Sequence, residues 1–410
     1  MSQSYFEEAV KPFSPATVME EVSRCLLCID PPCSKSCPAG TDPGKFIRSL
    51  RFKNVEGAAC TIRINNALGS VCARVCPTER YCQKGCLRSG IDRPLDIGRI
   101  QSFLTDYEEK GGLNFFEKKA PKNKKIALVG GGPSALQAAA TLAIEGYSVE
   151  IYEKDSKLGG YLRGGIPEYR LPTEILDKEI QRILDLDVKA HLGVKIGEDI
   201  SLDYLKEHFD AVCICTGFSK GKTLEMFEGK EDTITAVELL KKLKADPKGA
   251  TLPEKVLVIG GGDVAMDAVC SLKMLGAKKV IDVVYEELPE MRASEKEVKS
   301  VLSQADSLIC GYAPVSHEGH KTVFKHRFLE SELTITSDLV VLAVGQTADV
   351  NGLSLTLEKG EAVGVYHSTS DPKVFFAGDL TPKNEKTVVY AVKTGKEAAW
   401  AMINRLEGKK

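Results

Sequence analysis

The chain has 410 residues, with 55 Lys and Arg against 57 Asp and Glu, 43% hydrophobic residues and 27% charged ones. This suits a globular chain of about two to four domains and leaves no basic face of the kind a nucleic-acid binder presents. No apolar run reaches the roughly 18 residues of a membrane span, and MSQSYFEEAVKPF lacks the basic-then-apolar order of a secretory leader. A cytoplasmic protein without membrane or nucleic-acid partners is expected.

Nine of the 13 cysteines fall between Cys25 and Cys86. Without a secretory leader, such density points to metal rather than to disulfides. The first run is Cys25, Cys28, Cys33 and Cys37-Pro; the second is Cys72, Cys76-Pro, Cys82 and Cys86. An iron–sulfur cluster takes about four thiolates, so the eight cysteines of these runs suit two [4Fe-4S] clusters. Two structural zinc sites with four thiolates each would satisfy the same spacing, but zinc carries no electrons. Cys60 stands outside both runs. Residues 1–120 read as a helical iron–sulfur domain, closed by the polar linker KGGLNFFEKKAPKNK at 110–124.

Beyond the linker the pattern changes to two near-repeats, residues 125–154 and 255–287, each reading strand, glycine turn, helix, strand. In the first, Gly130 makes the turn, Gly132 lets backbone approach a pyrophosphate, and Ala135 lies where helix packs on strand. Free N–H groups near Ser134 face the phosphates, and Glu153, followed by Lys154, is placed to accept from a ribose hydroxyl. In the second, Gly260, Gly262 and Ala265 repeat the turn, and the strand ends in Tyr285-Glu286. An acid there suits the free 2′-hydroxyl of NAD rather than the 2′-phosphate of NADP, although Arg292 lies nearby. NADH is therefore the expected donor. Cys213, Cys215, Cys270 and Cys310 read as buried small hydrophobes rather than a redox disulfide.

With GGYLRGGIPEYRLP after the first unit and VFFAGD near the C-terminus, the layout resembles flavoproteins with two dinucleotide domains. The resemblance implies FAD on the first unit and the nicotinamide on an inserted second one. Gly378 and Asp379 would then meet the flavin's phosphate and ribityl side, and Thr387 and Val388 would open a helix beneath its ring. The fold class expected is α/β, with two Rossmann-like domains after an all-α segment. The boundaries are 121–217 with 346–410 for FAD and 218–345 for NAD(H).

Stretches such as CLLCIDPPCSKSCPAGTDPGKFIRSL, NNALGSVCARVCPTE, GGGDVAMD and TVVYAVKTGKEAA resemble the flavin subunit of bacterial NAD-dependent dihydropyrimidine dehydrogenases over nearly the full length. The N-terminal half of the single-chain enzymes is similar, and the small subunit of glutamate synthase more distantly so. This resemblance implies Cys25, Cys28, Cys33 and Cys86 on one cluster. It implies Cys37, Cys76, Cys82 and Gln101 on the other, with Cys72 a spare. It further implies Tyr161 and Arg170 lining the flavin site, Gly260, Gly261, Gly262, Asp263 and Val264 on the nicotinamide nucleotide's phosphates, and Ala343, Val344 and Gly345 beside the nicotinamide. Tyr285-Glu286 departs from the Arg-Lys pair of NADPH-using members, in line with NADH. No FMN site or barrel pattern is visible, so a separate FMN- and iron–sulfur-containing (PreA-like) subunit is implied, in a heterotetramer that reduces uracil or thymine. The same module serving glutamate synthase, a ferredoxin or another reductase is the alternative. A nicotinamide-binding sensor without turnover is a further one.

Overall fold

The computed structural model describes residues 4–409. The helical segment runs through α1 (Pro15–Ser23), the single turn α2 (Pro32–Lys35), α3 (Pro43–Arg51), α4 (Val55–Asn65), α5 (Gly69–Val75) and α6 (Ile97–Lys110). Its starts are set locally. Ser14, Asp42, Asn54 and Asp96 each accept a backbone N–H of the first turn, and Pro15 and Pro43 follow the caps where a missing N–H costs nothing. Val18, Phe46, Leu50, Ile62, Ile100 and Leu104 form the shared core. Residues 111–124 contain no helix or strand.

The chain then forms β1 (Lys125–Val129), α7 (Pro133–Ile144), β2 (Ser148–Glu153), α8 (Tyr161–Gly164), α9 (Thr173–Leu184), β3 (Lys189–Leu192), α10 (Leu202–His208) and β4 (Ala211–Ile214). Next come β5 (Lys220–Gly221), β6 (Thr233–Thr235), α11 (Ala236–Ala245), β7 (Lys255–Ile259), α12 (Asp263–Met274), β8 (Lys279–Val284), α13 (Glu295–Gln304) and β9 (Ser307–Cys310). The strands β10 (Tyr312–Glu318), β11 (Lys321–His326), β12 (Glu332–Thr336), β13 (Leu339–Leu342) and β14 (Gln346–Thr347) follow, then β15 (Leu357–Glu358), β16 (Glu361–Ala362), β17 (Val374–Phe376) and α14 (Val388–Leu406).

Two parallel five-stranded sheets result, ordered β17-β4-β1-β2-β3 and β6-β13-β7-β8-β9. All strands of the second fall between β4 and β17 of the first, so the second fold is an insertion. An antiparallel three-stranded sheet, β10-β11-β12, connects β9 to β13. The α/β class with an all-α N-terminal segment is therefore what the chain adopts. Buried on both faces, the parallel strands read as apolar runs such as Ile126–Val129 and Val256–Ile259.

Contacts divide the chain into two compact units. One comprises residues 10–162, 173–217 and 350–409, holding the helical segment together with the first sheet; the other comprises residues 4–9, 163–172 and 218–349. Tyr5 packs on Tyr169 with ring centroids 6.0 Å apart, and the Ala9 N–H donates to the Tyr169 carbonyl at 2.8 Å, which gives residues 4–9 to the second unit. Among the described residues no helix is long and apolar enough to cross a membrane.

Candidate functional site

The first glycine turn lies at the C-terminal end of β1. Gly130 has φ +104°, and a Cβ there would sit 2.7 Å from the Cys215 carbonyl oxygen. Gly132 caps α7 with no side-chain hydrogen bond, so the first N–H groups of the helix point outward, the arrangement that receives a pyrophosphate. Ala135 is fully buried. Glu153, also buried, accepts from the Gly131 N–H at 2.5 Å and the Asp155 N–H at 2.9 Å. Burial pushes its pKa up against the pull of those amides. Its carboxylate thus braces the glycine turn itself, a task the strand-end position did not reveal. Lys154 is exposed.

From the other end of the chain, Gly378 (φ +75°) follows β17, and its N–H donates to Thr394 Oγ1 at 3.0 Å. A Cβ at Gly378 would lie 2.7 Å from Ser134 Oγ, so the two expected flavin-side segments meet. Gly395 has no room for a side chain because α14 runs against α7; a Cβ would be 2.2 Å from the Ser134 carbonyl oxygen. Asp379 stands beside Gly217, at 3.7 Å by the same measure. Thr387 caps α14 without a side-chain bond, leaving Val388 at the open helix start. Tyr161 opens the short α8 and is half-buried.

Arg170 lies in the second unit, where Nη1 is 2.7 Å from both Asp267 carboxylate oxygens and Nε 3.3 Å from Glu297. Two buried acids there need a cation, and Arg170 supplies it.

The second turn repeats the geometry of the first. A Cβ at Gly260 (φ +153°) would be 2.4 Å from the Ala343 carbonyl oxygen, and Gly262 caps α12 without side-chain help. Asp263, which begins α12 ahead of Val264, accepts the Ser294 N–H at 2.7 Å. Glu286 Oε2 approaches Gly261, 3.0 Å from a Cβ placed there. Arg292 is 86% exposed and lies 3.6 Å from Glu286. Sequence reading missed Arg327, between β11 and β12. Its guanidinium sits 4.4 Å above the Tyr285 ring and pairs with Glu290 at 2.9 Å. Both arginines near this strand end thus have carboxylate partners. Ala343, Val344 and Gly345 follow β13, and the Gly345 carbonyl accepts the Lys222 N–H at 2.9 Å.

The thiols form two groups. Cys25, Cys28, Cys33 and Cys86 line one cavity of about 30 Å³. Its loop is anchored by Arg48 on the Cys28 carbonyl at 2.8 Å and by Arg51 on the Cys25 carbonyl. Burial and the three neighbouring thiols push Cys33 up to about 11. Cys37, Cys72, Cys76 and Cys82 form the second group, each near enough to raise another's pKa on top of the burial effect. Cys82 faces Cys37 and then Cys33, so the groups adjoin. Among the described residues no three His, Cys, Asp or Glu side chains gather on a single ion. Four thiols lining one space suit a polynuclear cluster.

Gln101, on α6, is buried, and its Nε2 donates to the Gly69 carbonyl at 2.7 Å. That bond fixes which end of the amide is nitrogen and leaves Oε1 as the end able to meet a metal. Cys72 is buried at 4% exposure, and burial pushes its thiol up to about 12. Cys213 and Cys215 are buried on and just after β4, and every cysteine among the described residues is a free thiol. Cys310, expected to be buried, is half-exposed.

Three links between thiol segment and first sheet carried no sequence signal. Arg63, 1% exposed, binds Glu108 of α6 at 2.8 Å and Glu179 of α9 at 2.7 Å. Tyr81, beside Cys82, donates to Glu385 at 2.6 Å and reaches Thr387 at 3.4 Å. Lys396 of α14 donates to the Ala39 carbonyl at 2.7 Å and to the Asn65 carbonyl.

Two nucleotide turns on parallel sheets and a thiol-rich helical segment define a nicotinamide-linked flavin and iron–sulfur oxidoreductase. Residues 124–395 match the pyridine nucleotide-disulphide oxidoreductase family, and residues 2–113 match dihydropyrimidine dehydrogenase domain II, 4Fe-4S cluster. The chain belongs to the PreT family of NAD-dependent dihydropyrimidine dehydrogenase subunits. It is 48% identical to the one from Escherichia coli O157:H7 over 99% of this chain and 98% of that one. It is also 32% identical to the NADP(+)-dependent formate dehydrogenase subunit beta of Moorella thermoacetica, over 90% of this chain and 59% of that one. FprA of Mycobacterium tuberculosis in complex with NADPH superposes with a TM-score of 0.59 over 70% of this chain and 85% of that one, at 18% identity, a likeness of fold alone. The chain is thus an NAD-dependent oxidoreductase subunit with iron–sulfur and FAD/NAD-binding domains.

Proposed function

We propose that this subunit takes electrons from NADH through FAD and two [4Fe-4S] clusters to a separate FMN- and iron–sulfur-containing partner, PreA-like, which reduces uracil or thymine in a heterotetramer. The observation that carries this reading is the near full-length likeness to PreT subunits. When bound, the flavin accepts two electrons from the nicotinamide and the clusters pass them on singly.

The chain's own residues bind and orient. The open start of α7, with Gly130, Gly132, Ser134 and Ala135, would hold the FAD pyrophosphate, with Glu153 and Lys154 at its ribose. Gly378, Asp379, Thr387, Val388, Tyr161 and Arg170 would line the rest. The open start of α12, from Gly260 to Val264, would hold the nicotinamide nucleotide's phosphates. Tyr285, Glu286 and Arg292 would meet its adenosine ribose, and Ala343 to Gly345 its nicotinamide. Cys25, Cys28, Cys33 and Cys86 would hold one cluster; Cys37, Cys76, Cys82 and Gln101 Oε1 the other. Metal ligation needs thiolates, and burial raises the Cys33, Cys76 and Cys82 thiols, so cluster assembly would release protons. No side chain is required as acid or base.

The test is NADH oxidation by anaerobically purified chain, with and without the partner, using uracil as acceptor. Uracil turnover only with both proteins supports the proposal. Dye reduction without uracil turnover moves the acceptor elsewhere, the reading favoured by the likeness to a formate dehydrogenase subunit. Gln101→Ala that retains both clusters with unchanged electron transfer would remove Gln101 from the ligands.

A further inference from the structure

Lys396 is a half-buried cation that the nucleotide and thiol assignments leave without a task. It lies eight residues beyond Val388 on α14, about 12 Å along the helix from the open end assigned to the flavin. Its ammonium donates to two neutral acceptors, the Ala39 carbonyl at 2.7 Å and the Asn65 carbonyl. Ala39 follows Cys37 by two residues, and Asn66, next to Asn65, hydrogen-bonds the Cys72 thiol. Burial lowers the Lys396 pKa, and its neighbours Cys37, Cys72 and Glu397, in that order, oppose the shift; Glu397 is itself engaged by His367 at 3.3 Å.

Resting on the assignment of Cys37, Cys76 and Cys82 to one cluster, we propose that Lys396 is a positioning residue that tunes that cluster. It pins the loop after Cys37 and places a positive charge beside the thiolates, raising that cluster's reduction potential. Reduction adds one electron, with no bond or proton change, so a nearby fixed cation stabilises the more negative state. Half-screened from water, such a charge acts more strongly than in bulk solvent.

The experiment is a redox titration of the full-length, anaerobically purified holoprotein, followed by electron paramagnetic resonance. Iron and sulfide content of the wild type is read first: fewer than two clusters per chain would overturn the two-cluster assignment, not the role of Lys396 beside the cluster that remains. Lys396→Met and Lys396→Gln are expected to make one reduction wave at least tenfold less favourable, about 59 mV for one electron, and to leave the other unmoved. Lys396→Arg, which keeps the charge, should restore the wild-type wave. An unmoved wave, equal movement of both waves, or an Arg variant displaced as far as Met overturns the proposal. Iron lost from both the Met and Gln variants overturns it too, leaving a purely structural lysine.

Discussion

Arg63 offers the sharpest test of how the thiol segment is held against the first sheet. Its guanidinium is 1% exposed and makes paired bonds to Glu108 at 2.9 and 2.8 Å, one to Glu179 at 2.7 Å and one to the Ala67 carbonyl at 2.6 Å. Glu108 has no exposed surface, and Glu179 also accepts the Ser70 N–H at 3.0 Å. Arg63→Met would leave two carboxylates buried in one unit without their shared cation. Breaking a buried ion pair in this way costs about 3–5 kcal/mol. At roughly 2–4 °C per kcal/mol for a unit of this size, the melting temperature should fall by about 6–20 °C. The assay is urea and thermal unfolding followed by circular dichroism, with the iron–sulfur absorbance recorded in parallel. A second variant isolates the cause: Arg63→Met with Glu108→Gln removes one stranded charge and should recover about 1–3 kcal/mol through coupling. A loss below about 1 kcal/mol in the single variant, or strict additivity in the double, would refute the argument that charge burial holds this joint.

Three further outcomes follow from the site. Gly130→Ala forces a side chain into φ +104° and against the Cys215 carbonyl; strain of about 1–3 kcal/mol should weaken flavin retention roughly tenfold or more, read as flavin per chain after dialysis. Glu286→Arg puts a cation where the carboxylate approaches Gly261, and charge-assisted bonding of about 1.5–3 kcal/mol should raise the NADPH-to-NADH ratio of kcat/KM by about tenfold or more in dye reduction. Burial would raise the pKa of Glu21, but the Asp96 N–H, Arg24 and Arg93 outweigh it and hold the carboxyl below its ordinary 4.5. A depressed pKa means stability present above that value and lost as pH falls through the folded one. The stability gap between wild type and Glu21→Gln should therefore shrink on going from about pH 6 to about pH 3.5, measured as urea midpoints.

Local signals carried much of the fold. The glycine turns at Gly130 and Gly260 are legible because a strand must end, turn sharply and leave helix N–H groups open within a few residues. The parallel strands are legible because burial on both faces writes them as apolar runs. The short alternating strands β10 to β12 gave a weaker signal, and half-exposed positions such as those of Tyr312–Glu318 blur it.

By itself, then, the sequence determined the two nucleotide turns, the helical start and the presence of eight thiols in two runs. Tertiary structure decided which thiols share a space: Cys86 closes on the first run across some fifty residues, while Cys37 leaves its own run for Cys76 and Cys82. It also made Arg170 the counter-ion of Asp267 and Glu297, and it brought Arg63, Tyr81 and Lys396 to partners distant in the chain. The reason is common to all of them. Turn and strand chemistry is set by neighbours within a few residues, whereas a buried charge or thiol takes its meaning from whichever group the folded chain brings against it in low dielectric.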